Sequence, residues 1–550
     1  MHEFHIAVIA AVLILGGGGM MVQADSSLTR ANAAQPGQAE LSQLRKQAAQ
    51  RQRRIIYNDD GCHVRPYPTP EQFLGLRLKQ VADTQVDSVF YCTGVTGMFY
   101  GHRPRVGEFF GKYVTDESPA YFRTIRDSIH ALAALDTDQL TLATDFCHDN
   151  GMEIFFSLRM NDIHEAFPQW PGLLSDFKRN HPEYRFGEPG DFHLYPRSDV
   201  RSTAWPALDY AVPQVRQYVL GIFRDVCEGY DVDGIELDWW RSPIAFRPTL
   251  TLEPVTPEQI AIMSDWMRQV RKMTEEIAAE RGRPLLIAVR LPMSVSRCRE
   301  LGFDIDSWLR DDLVDLVVVG GGYAPMAIAP EIHDMAEFTH QYDVPLYACI
   351  SASGMRQEYG SVEAWRGAAM NIWHAGADGI YTFNFFPAQR DPRLSELGSP
   401  QTLKGLNKIY GVDRIVPETF EGDLRPGLVV PNRLPIDLEP DRWVAVRMPV
   451  GEDIVANAPP GNTTNTRLRL QISKLAQGDE VAVRLNGQTL PAAVPDKPLS
   501  AEPSAVWFEL QPAPQLFQAG QNLIEVQLTT PRALEAPATL EALYLTVTYE

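Results

Sequence analysis

From residue 53 onward, short apolar runs alternate with longer amphipathic stretches, the trace that parallel strands and their crossover helices leave in a chain. Eight runs qualify as strands: Arg54–Asn58, Asp87–Thr93, Glu153–Arg159, Gly234–Trp239, Leu285–Leu291, Leu313–Val319, Pro345–Ile350 and Gly379–Phe385. A long insertion follows the second. Helical periodicity fills other gaps, as in Pro213–Glu228, Pro257–Glu280 and Val362–Ala375. Eight such units predict an α/β chain with a (β/α)8 TIM barrel over residues 51–412. A doubly wound open sheet is the alternative, but it usually carries a glycine-rich phosphate loop after its first strand. Here that position reads Asp59-Asp60-Gly61, a turn.

Beyond residue 412 the rhythm changes. Proline joints (Val416-Pro417, Arg425-Pro426, Val430-Pro431) give way to period-two segments at Thr466–Ile472, Glu480–Leu485, Ala505–Leu510, Leu523–Leu528 and Tyr544–Tyr549. Asn486-Gly487 is a hairpin signal. Residues 413–550 are therefore expected to form an antiparallel β-sandwich. The succession "VRLNGQTL", "LFQAGQNLIEVQL" and "LYLTVTY" resembles the galactose-binding-like jelly rolls appended to many glycosidases. In such enzymes that module is a brace as often as a sugar binder.

The front of the chain has neither pattern. An apolar core from Ile6 to Leu15, four glycines and Val22-Gln-Ala24 fit a leader over residues 1–24 cleaved after Ala24, although His2, Glu3 and His5 stand where Lys or Arg is usual. The apolar run is short for a membrane span, and no cysteine follows it closely enough for a lipid anchor. Export is the expectation, with no membrane attachment after cleavage. Residues 25–50, rich in Ala, Gln, Ser and Arg, read as a linker or a frayed helix.

Composition narrows the partners. Of 550 residues, 45% are hydrophobic and 22% charged, which is ordinary for a globular chain. The net charge of −20 argues against nucleic acid, which needs a basic surface, and suits a neutral ligand better. The six cysteines are scattered through apolar stretches and form no metal-type pairs. Cys62 and Cys92 fall at the ends of the first two strands, which permits one disulfide. No cofactor and no metal are expected, because the first strand has no His-x-His pair for a metal-dependent hydrolase.

In a TIM barrel the chemistry sits where the strands end. The fourth strand, Asp233-Gly-Ile-Glu-Leu-Asp-Trp-Trp240, alternates so that Glu236, Asp238 and Trp240 share the inward face. Buried carboxylates are costly unless hydrogen-bonded or working. Asp238, nearer the mouth, is the leading catalytic candidate, as nucleophile or general acid; bracing an arginine is the alternative. Glu236, a layer deeper, is expected to brace a base such as Arg290, and Trp239 and Trp240 offer a stacking surface. On the third strand Ser157, Arg159 and Asn161 share a face, with Asp162 and His164 in the loop beyond. Asn58 and Asp60 end the first strand, in a cluster that also fits a plain turn. Arg290 ends the fifth strand and Tyr323 follows Gly320-Gly-Gly on the sixth. Glu358 follows the seventh, and Thr382 and Asn384 on the eighth are read as inward. Asp378 lies at the opposite end of the barrel and is excluded.

The run "ALDYAVPQVRQYVLGIFRDVCEGYDVDGIELDWWRSP", preceded by "NHPEYRFGE", resembles the family 10-like glycosyl hydrolases of bacteria over roughly residues 53–410. That resemblance implies a carbohydrate substrate and puts the aspartate of their "YDVDGI-FDD" strand on Asp238, with Trp239 where the second Asp often stands. The fourth strand is also similar to the family 18 pattern D-G-x-D-x-D-x-E, but Trp240 then occupies the acid's place, which excludes that mechanism. Candidates for the second carboxylate are Asp162, Glu358 and Asp60, in that order. A barrel that binds glycans without cleaving them is the rival reading.

Overall fold

The computed structural model describes residues 36–61, 63, 65–167, 171–191, 203–250, 253–320, 329–351, 360–413, 434–499, 504–530 and 537–550. Eight parallel strands close into a barrel: β1 (Ile55–Asp59), β2 (Val86–Cys92), β3 (Glu153–Arg159), β4 (Gly234–Asp238), β5 (Leu286–Leu291), β6 (Leu316–Val319), β7 (Leu346–Ser351) and β8 (Gly379–Phe383). Each pairs with its neighbours in chain order, and β8 returns to β1. The insertion after β2 carries a small three-stranded sheet of two-residue strands. No described helix is long and apolar enough to cross a membrane.

Alternation sorts each strand's side chains into two cores. Ile235, Leu237 and Trp239 face outward with the helices, Trp239 packing edge-on against Tyr210 and Trp266. Phe90, Phe155, Ala288, Val318, Tyr381 and Phe383 fill the lumen, as expected of a barrel that is packed rather than hollow. Gly234 is required by this packing. A Cβ there would sit 2.3 Å from the Phe155 ring.

The floor of the barrel shows a repeated clamp. An aspartate ahead of or entering each even-numbered strand accepts the backbone N–H at the start of the preceding odd one. Asp87 takes Arg54 N at 2.7 Å, Asp233 takes Ile154 N at 2.9 Å, Asp315 takes Ile287 N at 2.7 Å and Asp378 takes Leu346 N at 2.8 Å. These carboxylates are structural, and the Asp-Gly pairs at 233 and 378 belong to this device.

Residues expected to be a linker or a frayed helix form α1 (Gln38–Ala49), which closes the floor. Its Arg45 reaches both Asp312 and Asp315. Just beyond it, Arg53 is buried with every N–H used: Nε and Nη2 bind Glu153 at 2.7 and 3.0 Å, and the remaining donors take the carbonyls of Ala48, Ala49 and Arg51. The fixed place of this helix is not readable locally, because the partners of Arg45 and Arg53 lie 270 and 100 residues away.

The sandwich starts earlier than the expected joint at 412. Strand β9 (Lys408–Asp413) already pairs antiparallel with β16 (Ala538–Tyr549). Its sheet also contains β12 (Thr464–Leu475) and β14 (Ser504–Leu510), and the facing sheet contains β11 (Val444–Val450), β13 (Val481–Leu485) and β15 (Gly520–Leu528). Strand β10 (Ile436–Leu438) pairs with β16. Asn486 and Gly487 have φ of 50° and 81°, the left-handed pair a tight hairpin needs. The two domains meet without a spacer: Asn371 of α2 (Val362–His374) donates to the Pro449 carbonyl, and Gly367 lets the backbone of β9 approach that helix. Cys92, expected as one end of a disulfide, is a free buried thiol bonded to the Gly94 carbonyl; Cys62 lies outside the described residues.

Candidate active site at the barrel mouth

Inward positions at the ends of β3, β4 and β5 stand side by side in register as Arg159, Asp238 and Arg290. Asp238 is fully engaged. Its Oδ1 accepts the backbone N–H groups of Trp240 (3.1 Å) and Arg241 (3.0 Å), and its Oδ2 accepts Arg290 Nη1 at 3.1 Å. Arg290 in turn donates to the Gly320 carbonyl and lies 3.9 Å over the Phe383 ring. The expectation that Glu236 braces Arg290 is corrected here. The arginine reaches the carboxylate one layer higher, because its side chain extends toward the mouth and not back into the lumen.

Glu236 has neutral partners instead. Ser157 Oγ donates to its Oε2 at 2.5 Å and Tyr381 OH at 3.1 Å, while Oε1 has no hydrogen-bond partner among the described residues. Burial, and then the charge of Asp238, push Glu236 up to about 8 against the lowering effect of Ser157, Arg290 and Tyr381. Two carboxyls on one strand therefore sit in unlike settings, one matched to a cation and the other not.

On the β3 side, Arg159 bonds Asp60 and lies 3.6 Å from Asp162. Asp162 Oδ1 accepts His164 Nδ1 at 2.6 Å and His164 N at 2.8 Å, and Arg241 lies 3.1 Å from His164 Nε2. Burial works to raise Asp162, but His164, Arg159 and Arg241 outweigh it and hold the carboxyl well below the usual range. A group held so firmly ionised is a poor proton donor at neutral pH. Asp60 is the most open of the described mouth carboxylates, 21% exposed against 1% for Asp238.

Other candidates fare differently. Asn161 spends its amide on the backbone: Nδ2 donates to the carbonyls of Leu208 (2.9 Å) and Ile244 (2.5 Å), and Oδ1 accepts Leu208 N (2.8 Å). It ties together two loops over the mouth and has no donor left for a sugar. Asn161→Ala strands those backbone groups, at about 1–3 kcal/mol for a buried group left unsatisfied. The expected outcome is a lower melting temperature and faster proteolysis within residues 203–250, read by calorimetry and limited digestion.

Trp239 is part of the outer core and offers no stacking face, whereas Trp240 is 9% exposed at the strand end. Asn58 is buried, donating weakly to the Phe90 carbonyl at 3.3 Å. The inward reading of Thr382 is overturned, since Tyr381 and Phe383 face the lumen; Asn384 lies just past the strand end at φ 48°, where strand alternation no longer sets its direction. A packed lumen takes the bulky parity and not the polar one. That same rule was the signal for Tyr381 and Phe383, which sequence reasoning missed. Tyr323 and Glu358 lie outside the described residues. Among the described residues no group of three or more His, Cys, Asp and Glu is placed to hold a metal ion.

No protein-family model matches the chain, and no curated protein matches it. Solved structures similar to it include the PgaB (BpsB) glycoside hydrolase domain from Bordetella bronchiseptica, 13% identical with a TM-score of 0.38, covering 64% of this chain and 99% of that one. A family GH18 chitinase from Chromobacterium violaceum is 10% identical with a TM-score of 0.33, covering 89% of this chain and 90% of that one. The cycloisomaltooligosaccharide glucanotransferase of Paenibacillus sp., complexed with cycloisomaltoheptaose, is 10% identical with a TM-score of 0.33 over 89% of this chain. This chain spans 57% of that protein's length.

Proposed function

We propose that the protein is a glycoside hydrolase, allied to the family 10-like enzymes that its fourth strand resembles, and that Asp238 acts on the sugar from the barrel mouth. The observation that carries the reading is the pair on β4: an aspartate charge-matched to Arg290 at the strand end, with a buried glutamate of unlike setting beneath it. Glycosidases act through a pair of carboxyls flanking the sugar bond, and Asp238 is one member of that pair in this reading. With Arg290 as its partner, Asp238 serves as the anion, either nucleophile or stabiliser of the oxocarbenium-like transition state. The proton donor is Asp60 or Glu358, since Asp162 is locked in its ionised form and orients His164. The described mouth sets Asp60, Asp162 and Asp238 against Arg159, Arg241 and Arg290, a balance that suits an uncharged sugar. Arg159, Trp240 and, beyond the described residues, Tyr323 are the proposed sugar contacts. The reading includes export on the leader over residues 1–24.

The rival is a barrel that binds glycans without cleaving them. What favours it is the commitment of Asp162 and Asp238 to protein partners. Purified protein incubated with aryl glycosides and with neutral polysaccharides decides between them. Release of aglycone or reducing ends supports the hydrolase; binding on a glycan array with no release on any substrate supports the rival.

A further inference from the structure

The glutamate beneath Asp238 has no assigned work in that scheme. Glu236 is fully buried, meets no cation at hydrogen-bond distance among the described residues, and receives two hydroxyl donors on the same oxygen. Its Oε1 has no partner among the described residues. An ionised carboxylate left in this way carries an uncompensated charge in a low-dielectric lumen, a costly arrangement. A carboxylic acid does not: Oε2 accepts from Ser157 and Tyr381, and Oε1 carries the proton. Arg290, the base that acts on it from the layer above, is already hydrogen-bonded to Asp238.

We infer that Glu236 is a neutral carboxylic acid in the working protein, and that its proton keeps it from competing with Asp238 for Arg290. If Glu236 ionised, two carboxylates would compete for one guanidinium, and Asp238, still held at Oδ1 by the Trp240 and Arg241 N–H groups, would lose part of its charge match at Oδ2. Glu236 is thus a positioning residue that acts through Arg290, and this role rests on the hydrolase reading. Its protonation does not depend on that reading.

The groups that face it support the assignment. Asp238 on the same strand opposes its ionisation; Arg290 on β5 favours it, as do the hydroxyls of Ser157 on β3 and Tyr381 on β8. Cys349 on β7 lies beside Tyr381, and Phe90, Leu316 and Val318 bring only apolar groups from β2 and β6. The upward push from burial exceeds all of these.

The test uses the whole protein and its variant Glu236→Gln, which copies the neutral acid's shape. A folded-state value of about 8, against an ordinary 4.5, means that the folded chain keeps a proton which the unfolded chain has released. Stability contributed in this way is present at low pH and is lost as pH rises across that window. The unfolding midpoint of wild type should therefore fall relative to that of Glu236→Gln between pH 5 and pH 9. Difference infrared spectra should show a protonated-carboxyl stretch in wild type at neutral pH that is missing from the variant. Tyr381→Phe removes a donor that favours the ionised form, so it should move the titration upward; it also serves if Glu236→Gln does not fold. For turnover, the alkaline limb of the kcat profile should shift in Tyr381→Phe and disappear in Glu236→Gln.

A flat stability difference together with no infrared band overturns the inference. Both of those readouts need no substrate. A protein that shows the proton but cleaves nothing therefore disproves the hydrolase reading alone, and one that cleaves sugar without the proton disproves this inference alone.

Discussion

Asp238→Asn is expected to lower kcat by ~10²–10⁴-fold, the range associated with a positioned acid–base or nucleophilic group. The amide keeps the shape and one oxygen for the Trp240 and Arg241 N–H groups, but it removes the charge that Arg290 answers. Its NH2 would then face a guanidinium with donor against donor. Arg290 is fully buried, so part of the damage falls on stability. Losing one member of a buried pair costs about 3–5 kcal/mol. The measurement must therefore pair kinetics with a melting curve. A variant that is folded at the assay temperature yet nearly inactive supports the catalytic assignment. Turnover equal to wild type would shift it to Asp60 or Glu358.

The barrel was legible because its signals are local. Every strand carries its apolar run in consecutive residues, and each of the eight expected segments overlaps an observed strand. The inward parity of β4 was readable from Glu236 and Asp238 alone, since the opposite parity is uniformly apolar. On β8 the bulkier parity carries Tyr381 and Phe383, the signal a packed lumen leaves, and Tyr381 packs against Phe90, 5.7 Å away on β2. Asn161 misled for a non-local reason. Strand alternation placed its side chain correctly, but its partners Leu208 and Ile244 are 47 and 83 residues away. The end of α1 shows the same limit: Arg45 and, just beyond the helix, Arg53 find their partners only when the loop before β6 and the start of β3 are brought to them.

Glu153→Gln is expected to be the most destabilising conservative change away from the mouth. It leaves Arg53 buried with its charge unanswered and weakens the bond from Ser88 to Glu153. About 3–5 kcal/mol is the usual cost of such an orphaned charge. Kinetic constants measured well below the melting temperature should stay near wild type, because this cluster sits at the floor. The double variant Arg53→Met with Glu153→Met should lose less than Glu153→Gln alone, since no bare charge is left behind. Calorimetry of the three proteins checks the ordering; a double variant that is worse than the single would show that Arg53 matters chiefly for anchoring the end of α1.

The aspartate clamps on the floor join β1 to β2, β3 to β4, β5 to β6 and β7 to β8, with none bridging one pair to the next. The construction unit of this barrel is therefore two strands rather than one. A chain reopened between pairs, after β2, β4 or β6, would keep all four clamps intact, whereas one reopened inside a pair would divide a clamp between its new ends. Shuffling or permuting this scaffold should respect those seams.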